Sequence, residues 1–462
     1  MEIKKYNRVS KLETLFLYEY ITADWPYDGY RDITKRCDHM TVHVVKSGEN
    51  LWSIARTYGV SIQSIVDVNG LPSSGLIIPG LALYIPDQQP IVRFYKIKAG
   101  DTLWKLSIQF QTSVSSILAA NPGLDANRLY IGQNINIPSP VKPKMSTLGF
   151  IVPGSSQTFL GSFEAIAPKV TFLAVAAYSF TDEGYAYLVM DDTAIVKRSR
   201  ELNVIPLLMV QNTTAVGFSK ELAGSVLGNP VYRRNLVNSL VNLANQRGYG
   251  GISVDLEFVP PPQRENFNTF LRYLKAAMGN LILHVNVHAK TEDIPTNPII
   301  GAYDYKAIGE IADIVAVMTI DYGYPGGPPD PVSPIWWIAQ VVRYALTLIP
   351  AYKIQIGLPL YGHDKVVSTN QYKGLSVLDA QNLAISTGAV VQFDPVSRSP
   401  WFRYWKGTEE HIVWFEDIRS YIEKYRLIDQ YQLYGATYWQ LSMQAPQNWA
   451  YLDKIEVIKT LT

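Results

Sequence analysis

Nine residues near the N-terminus return at a single spacing. Gly48, Leu51, Trp52, Ser64, Ile65, Asn69, Gly80, Ile85 and Pro86 recur as Gly100, Leu103, Trp104, Ser116, Ile117, Asn121, Gly132, Ile137 and Pro138, each 52 positions later. A constant offset leaves no net insertion between paired positions, so this stretch folds twice into one small unit rather than once into a larger one. Each copy opens on a short β-like run, His43–Lys46 or Tyr95–Lys98, followed by a Gly-acid turn. Leu51, Ile54, Ala55 and Tyr58 then fall at i, i+3, i+4 and i+7, the apolar face of a helix. Ser61 stands as the N-cap of a second helix, and a closing strand runs to Pro86. The pattern predicts a βααβ unit over residues 40–88 and another over 93–140. Leu51, Leu103, Trp52 and Trp104 are expected in the small cores. Asp87-Gln-Gln-Pro90 joins the copies and Ser139-Pro-Val-Lys-Pro-Lys144 leaves the second, both short and stiffened by proline.

The runs Val45-Lys-Ser-Gly-Glu-Asn-Leu-Trp-Ser-Ile-Ala55 and Ile97-Lys-Ala-Gly-Asp-Thr-Leu-Trp104 resemble LysM modules. The resemblance implies binding of the N-acetylglucosamine units of peptidoglycan or chitin, in a groove between the Gly-acid loop and the loop before the last strand. It points to Gly48, Glu49, Asn50 and Leu51 with Ile77 and Ile78 in copy one. In copy two it points to Gly100, Asp101, Thr102 and Leu103 with Tyr130 and Ile131. A purely structural role for the same residues is the alternative. Two modules in series raise the effective concentration on a repeating polymer.

Over residues 145–462 short apolar runs alternate with longer amphipathic segments, the signature of a parallel α/β fold. Candidate strands are Thr171–Tyr178, a weak one at Tyr185–Val189, Val204–Val210, Gly251–Glu257, Leu281–Val287, Ile314–Thr319, Lys353–Pro359 and Tyr434–Trp439. Eight strands over this length predict a (β/α)8 TIM barrel, with Lys365–Phe415 as a small insertion between strands 7 and 8. In the fourth run, a period of two puts Ser253, Asp255 and Glu257 on one face and Ile252, Val254, Leu256 and Phe258 on the other. Two acids at a strand end are costly to bury unless a polar cavity or a catalytic task holds them there. A salt-bridged strand end is the bland alternative. Barrel enzymes place their chemistry at the C-terminal ends of the strands, where Asp255 and Glu257 stand.

Lys+Arg 41 against Asp+Glu 40 leaves a formal charge of +1, which recommends neither nucleic acid nor an anionic membrane as partner and favours a neutral polymer. Cys37, the single cysteine, has no companion for an intramolecular disulfide or a thiolate metal cluster. No stretch reaches the roughly 18 apolar residues of a membrane span. Leu15-Phe-Leu-Tyr18 is too short for the core of a standard signal peptide. Residues 1–39 carry no assignable fold, and Met40 stands as an alternative translation start.

The run Gly250-Gly-Ile-Ser-Val-Asp-Leu-Glu257 resembles the fourth strand of glycoside hydrolase family 18, whose pattern is Asp-x-x-Asp-x-Asp-x-Glu. The last two acids match, whereas Gly250 and Ser253 replace the first two. Val317-Met-Thr-Ile-Asp321, Gly357-Leu-Pro-Leu-Tyr-Gly362 and Gly435-Ala-Thr-Tyr-Trp439 correspond to the family's sixth, seventh and eighth strands. Asp321-Tyr-Gly-Tyr-Pro-Gly-Gly-Pro-Pro329, Val413-Trp-Phe-Glu-Asp417 and Pro446-Gln-Asn-Trp449, with the paired LysM copies, are more narrowly similar to the spore cortex-lytic N-acetylglucosaminidases of endospore-forming bacteria.

The resemblance implies a substrate-assisted, retaining reaction with no second protein nucleophile and no cofactor. Glu257 would be general acid and then base, with its pKa raised by a neighbouring carboxylate. Asp255 would hold the acetamido N–H, Trp439 would floor the sugar pocket and Asp321 would orient the sugar. Ile320 stands where the family has a tyrosine that steadies the acetamido oxygen; Tyr322 and Tyr438 are the candidates to replace its hydroxyl. Asn286, Tyr178 and Gln211 are further candidates for substrate contact. His284, Asn286 and His288 alternate on the fifth strand, where a metal is conceivable, but the family pattern uses none. The expected protein is therefore a LysM-targeted glycosidase of peptidoglycan, spore-associated or more broadly associated with the cell wall. A non-catalytic glycan-binding or coat protein on a degenerate barrel, and a chitinase, are the alternatives.

Overall fold

The recurring asparagines show why the repeat keeps its spacing. In the computed structural model, which describes residues 42–72, 76–86, 91–154 and 156–459, Asn69 Nδ2 donates to the carbonyls of Ile65 (2.7 Å) and Tyr84 (2.8 Å), and its Oδ1 accepts from Tyr84 N at 2.7 Å. Asn121 repeats this with Ile117 and Asn136. One amide thus ties the second helix of each copy to its closing strand, satisfying backbone groups that would otherwise be buried unpaired. Residues 1–39, Cys37, Met40 and the linker Asp87–Pro90 lie outside the described residues.

Each copy has the βααβ order. Copy one comprises Val42–Val44, Leu51–Tyr58, Ile62–Asn69 and Ala82–Tyr84; copy two comprises Ile91–Lys96, Leu103–Gln109, Val114–Ala119 and Asn134–Ser139. Ser61 caps its helix, its hydroxyl accepting from Ser64 N at 3.0 Å. Leu51 and Leu103 are buried, but Trp52 and Trp104 are 61% and 66% exposed. The expectation of core tryptophans is corrected: the apolar face is set by Leu51, Ile54 and Ala55, and the residue after the first leucine points to solvent.

The described residues form two compact units. Copy two, with its core of Ile97, Leu103, Leu106, Phe110, Ile117 and Ile135, is one. Copy one belongs to the other, together with everything after Lys142.

In that larger unit eight parallel strands close into a barrel: Lys144–Ile151, Phe172–Phe180, Ile205–Gln211, Gly251–Asp255, Ile282–His288, Ile314–Met318, Ile354–Pro359 and Gly435–Trp439. The first pairs with both the second and the eighth, which completes the ring. Two expectations shift. Lys144–Ile151, absent from the eight candidate strands and overlapping the proline-stiffened linker only at Lys144, is the first barrel strand. Ala186–Leu188 is only a short antiparallel partner of the second. The two errors cancel, so Asp255 still ends the fourth strand. Residues along Lys144–Ile151 are buried on both faces, which removes the alternation that sequence reasoning looks for.

The insertion after the seventh strand is a five-stranded antiparallel sheet with the helix Val377–Thr387. Its apolar side shares one core with copy one, in which Ile65, Ile78 and Leu83 meet Ala384, Val391 and Phe402. Gln447, at the start of the last helix, ties copy one to the helix Ile418–Tyr431 that follows the insertion. Its Nε2 donates to Asn69 Oδ1 and to the Ala82 carbonyl, both at 2.8 Å, while its Oε1 accepts from Ile418 N at 2.9 Å. Gln447→Ala removes the side-chain acceptor of the buried Ile418 N–H and one donor each from the Asn69 and Ala82 oxygens, and a buried polar group left unpaired costs about 1–3 kcal/mol. Urea unfolding should show a loss of at least about 2 kcal/mol; a loss under about 0.5 kcal/mol would mean that water replaces the amide without penalty.

Candidate active site

The fourth strand ends at Asp255, and the chain beyond it is pinned from two sides. Asn212 Oδ1 accepts from Glu257 N and its Nδ2 donates to the Glu257 carbonyl, both at 2.8 Å. The buried Tyr303 hydroxyl donates to the Leu256 carbonyl at 2.7 Å. Glu257 is thereby fixed at the barrel mouth although it has left the sheet. Asp255 stands level with Gln211 on the neighbouring strand, whose Nε2 donates to Asp255 Oδ2 at 2.8 Å. Ser253 lies deeper, its hydroxyl 2.9 Å from His284 Nδ1.

Asp255, Glu257, Asp321, Ile320, Asn286 and Trp439 line one cleft of about 520 Å³ at the C-terminal mouth of the barrel, with Tyr324 and Trp337 on its wall. Trp439 packs against Phe150, ring centroids 5.5 Å apart. Asp321 has a left-handed backbone, φ 57°, and its carboxylate accepts from the Tyr361 hydroxyl at 2.7 Å. The loop after Asp321 is tied to the insertion. Lys365, 1% exposed, donates through Nζ to the carbonyls of Gly323, Tyr324, Gly327 and Pro328 at 2.7–3.3 Å.

Burial pushes the Glu257 carboxyl up to about 8, and the charges of Asp255 and Asp321 add to the rise. Burial raises Asp255 to about 6, opposed by the hydrogen bond from Gln211. His288, with Nε2 3.6 Å from Glu257 Oε2, is pushed down to about 4 by burial and stays neutral. Glu257 therefore carries a proton at neutral pH beside an ionised Asp255, the pairing that general acid catalysis requires. His284 is also pushed down by burial, to about 3.

Three of the residues expected at substrate lie elsewhere. Tyr178 donates to Asp192 at 2.5 Å among the outer helices, because the strand register shifts between Ala176 and Tyr178 and turns the ring outward. Tyr438 alternates with Trp439 and so faces the helices, where its hydroxyl meets Tyr425 at 2.8 Å. Tyr322 follows the left-handed Asp321, so strand alternation does not continue and its ring packs on Trp336 and Trp337 at 5.2 and 5.4 Å. Neither Tyr322 nor Tyr438 lines the cleft beside Ile320. Gln211 does not line the cleft; its amide is bonded to Asp255. Asn286 reaches the cleft with its Nδ2 turned to Ser253, at 3.3 Å, and its Oδ1 unpartnered among the described residues. Asn212, Tyr303 and Lys365 escaped the sequence reading, and no local pattern marks them. Tyr361 stands inside the seventh-strand motif and could have been found there.

A buried glutamic acid, a carboxylate two residues before it and an indole in one cleft at a barrel mouth are the arrangement of a glycoside hydrolase. The model for glycosyl hydrolases family 18 matches residues 224–444, and the LysM domain matches residues 43–86 and 95–138. The chain is 32% identical over 432 residues to the cortical fragment-lytic enzyme of Bacillus subtilis, covering 91% of this chain and 99% of that one. It belongs to glycoside hydrolase family 18. The crystal structure of the Bacillus cereus spore cortex-lytic enzyme SleL superposes with a TM-score of 0.79 at 28% identity, covering 91% of this chain and 99% of that one. A chitinase from Chromobacterium violaceum gives 0.63 at 27% identity over 67% of this chain and 98% of its own.

An acid at Glu257 and a charged Asp255 predict a bell-shaped pH profile. Turnover should therefore fall as pH rises through about 8 and as it drops through about 6. Asp321→Asn removes one charge that raises Glu257, so the alkaline limb should move to lower pH; a limb that stays in place would show that Asp321 does not act on Glu257. Ile320→Tyr restores a donor at the cleft wall. If the missing hydroxyl limits the reaction, turnover should rise, by up to about 100-fold or more, and an unchanged rate would show that another group already supplies it.

Proposed function

We propose that the protein hydrolyses N-acetylglucosamine linkages of peptidoglycan, that of the spore cortex, by a substrate-assisted retaining mechanism. The observation that carries this is the placement of Asp255 and Glu257 together with Asp321 and Trp439 in one cleft at the barrel mouth. Asp255 accepts the N–H of the acetamido group and turns its carbonyl oxygen toward the anomeric carbon. As that oxygen bonds to the carbon, the glycosidic C–O bond breaks and Glu257 delivers its proton to the leaving oxygen. The resulting oxazolinium is opened by water, which gives a proton to Glu257 as it attacks the same carbon, so configuration is retained. Trp439 stacks beneath the sugar and Asp321 orients it.

The cortical substrate is supported by relatives that span both the LysM copies and the barrel. The Chromobacterium chitinase aligns with only two thirds of this chain. Spore and cell-wall association follows from the same reading. Ile320 favours one other view, a glycan-binding protein on a barrel that no longer turns over.

Glu257→Gln keeps the shape and removes the proton, so hydrolysis of purified cortex fragments, followed by mass analysis of the products, should fall at least about 100-fold. Folding supplies the control. The parent's Glu257 carboxyl is raised in the fold, so its contribution to stability is full below the ordinary carboxylate range and is lost as pH rises through about 8. Glutamine stays neutral throughout, so the variant should melt no lower than the parent at pH 8. Full turnover by Glu257→Gln would remove the assignment, and an inactive parent would leave the binding view.

A further inference from the structure

The two LysM copies share one offset, so each surface position of one has a counterpart 52 residues away in the other. Tyr130 and Ile131, in the loop before the closing strand of copy two, are 53% and 75% exposed. Their counterparts are Ile78 and Pro79. Ile78 is 8% exposed, within the core shared with the insertion, and the Pro79 carbonyl accepts from Val391 N at 3.2 Å. The glycines that follow diverge in the same way. Gly80 and Gly132 have φ of 83° and 87°, equally unfavourable for an L side chain. A Cβ on Gly80 would stand 1.9 Å from the Val391 carbonyl oxygen, whereas on Gly132 it would meet nothing nearer than Lys96 Cε at 3.6 Å. Gln381 adds a hydrogen bond from the insertion to the Asn69 carbonyl at 2.9 Å.

We propose that the two copies have parted in role: copy one is a built-in brace of the catalytic unit, and the hold on insoluble N-acetylglucosamine polymer falls to copy two. This rests on the reading of LysM as the glycan-binding part of the protein. A groove between two loops needs both loops. In copy one the Ile78–Gly80 end of the second loop is spent on the insertion, which in turn carries Lys365 and so holds the loop that walls the catalytic cleft. In copy two the same loop presents a tyrosine and an isoleucine to solvent, an apolar platform of the kind on which a sugar face stacks.

Two measurements on the full chain test this. Residual hydrolysis of soluble cortex fragments after heating reads the catalytic unit. Gly80→Ala should lower the temperature of half-inactivation by about 3 °C or more, and Gly132→Ala, with the same backbone strain, should leave it unchanged. Failure of Gly80→Ala to fold beside a soluble Gly132→Ala counts the same way, and the milder Gln381→Ala should then show a smaller drop. Equal inactivation of the two glycine variants would overturn the brace. Pelleting with purified cortex peptidoglycan reads the hold. Tyr130→Ser with Ile131→Ser should weaken it at least about tenfold, roughly 1.4 kcal/mol. Ser47→Trp with Leu76→Ser, on exposed parts of the two copy-one loops, should not change it. Equal weakening by both pairs overturns the division of roles while LysM targeting stands. No weakening by either overturns LysM targeting itself.

Discussion

The interaction on which the rest depends is the burial of two carboxyl groups at the mouth of the fourth strand. Low polarizability around Glu257 holds its proton near neutral pH, and the neighbouring charges of Asp255 and Asp321 strengthen that hold. Such a pair is costly to keep, and backbone pinning keeps it. Asn212 and Tyr303 fasten residues 256 and 257 where the sheet no longer can. Gln211 takes one oxygen of Asp255 and steadies its charge. None of these three need touch the sugar for the acid to stand in the right place.

Support for the cleft then passes outward in layers. Tyr361 orients Asp321, and the buried ammonium of Lys365 gathers four carbonyls of the loop that follows. Lys365 belongs to the insertion, and the insertion rests on copy one through a continuous apolar core. A fully buried Ile or Leu contributes about 1.5–3 kcal/mol, so the residues of that core amount to a substantial bond between segments far apart in sequence. A module of binding-domain shape has become part of the enzyme's frame.

Ile320 sets a limit on the chemistry. Asp255, Glu257, Asp321 and Trp439 line the cleft, yet the wall position beside them is aliphatic. With Tyr322 turned to Trp336 and Tyr438 to Tyr425, neither brings a hydroxyl to the cleft beside Ile320. The cleft thus carries carboxyl groups for proton transfer but no tyrosine hydroxyl at the Ile320 position.

Much of this was legible in the residues alone. The constant offset determined two copies of one small fold, because a repeat without insertions can only fold as a repeat. The period of two determined that Asp255 shares a face with Ser253, and the strand–helix alternation determined the barrel. The first strand was hidden because burial on both faces erases alternation. Tyr178 was misplaced because a register shift is a property of pairing, invisible in one strand. Tyr322 was misplaced because a single left-handed residue, Asp321, ended the strand early. The separate fates of Ile78 and Tyr130 could not be read at all. Equivalent positions in a repeat carry the same local signal, and only the tertiary packing decides which of them a neighbour covers.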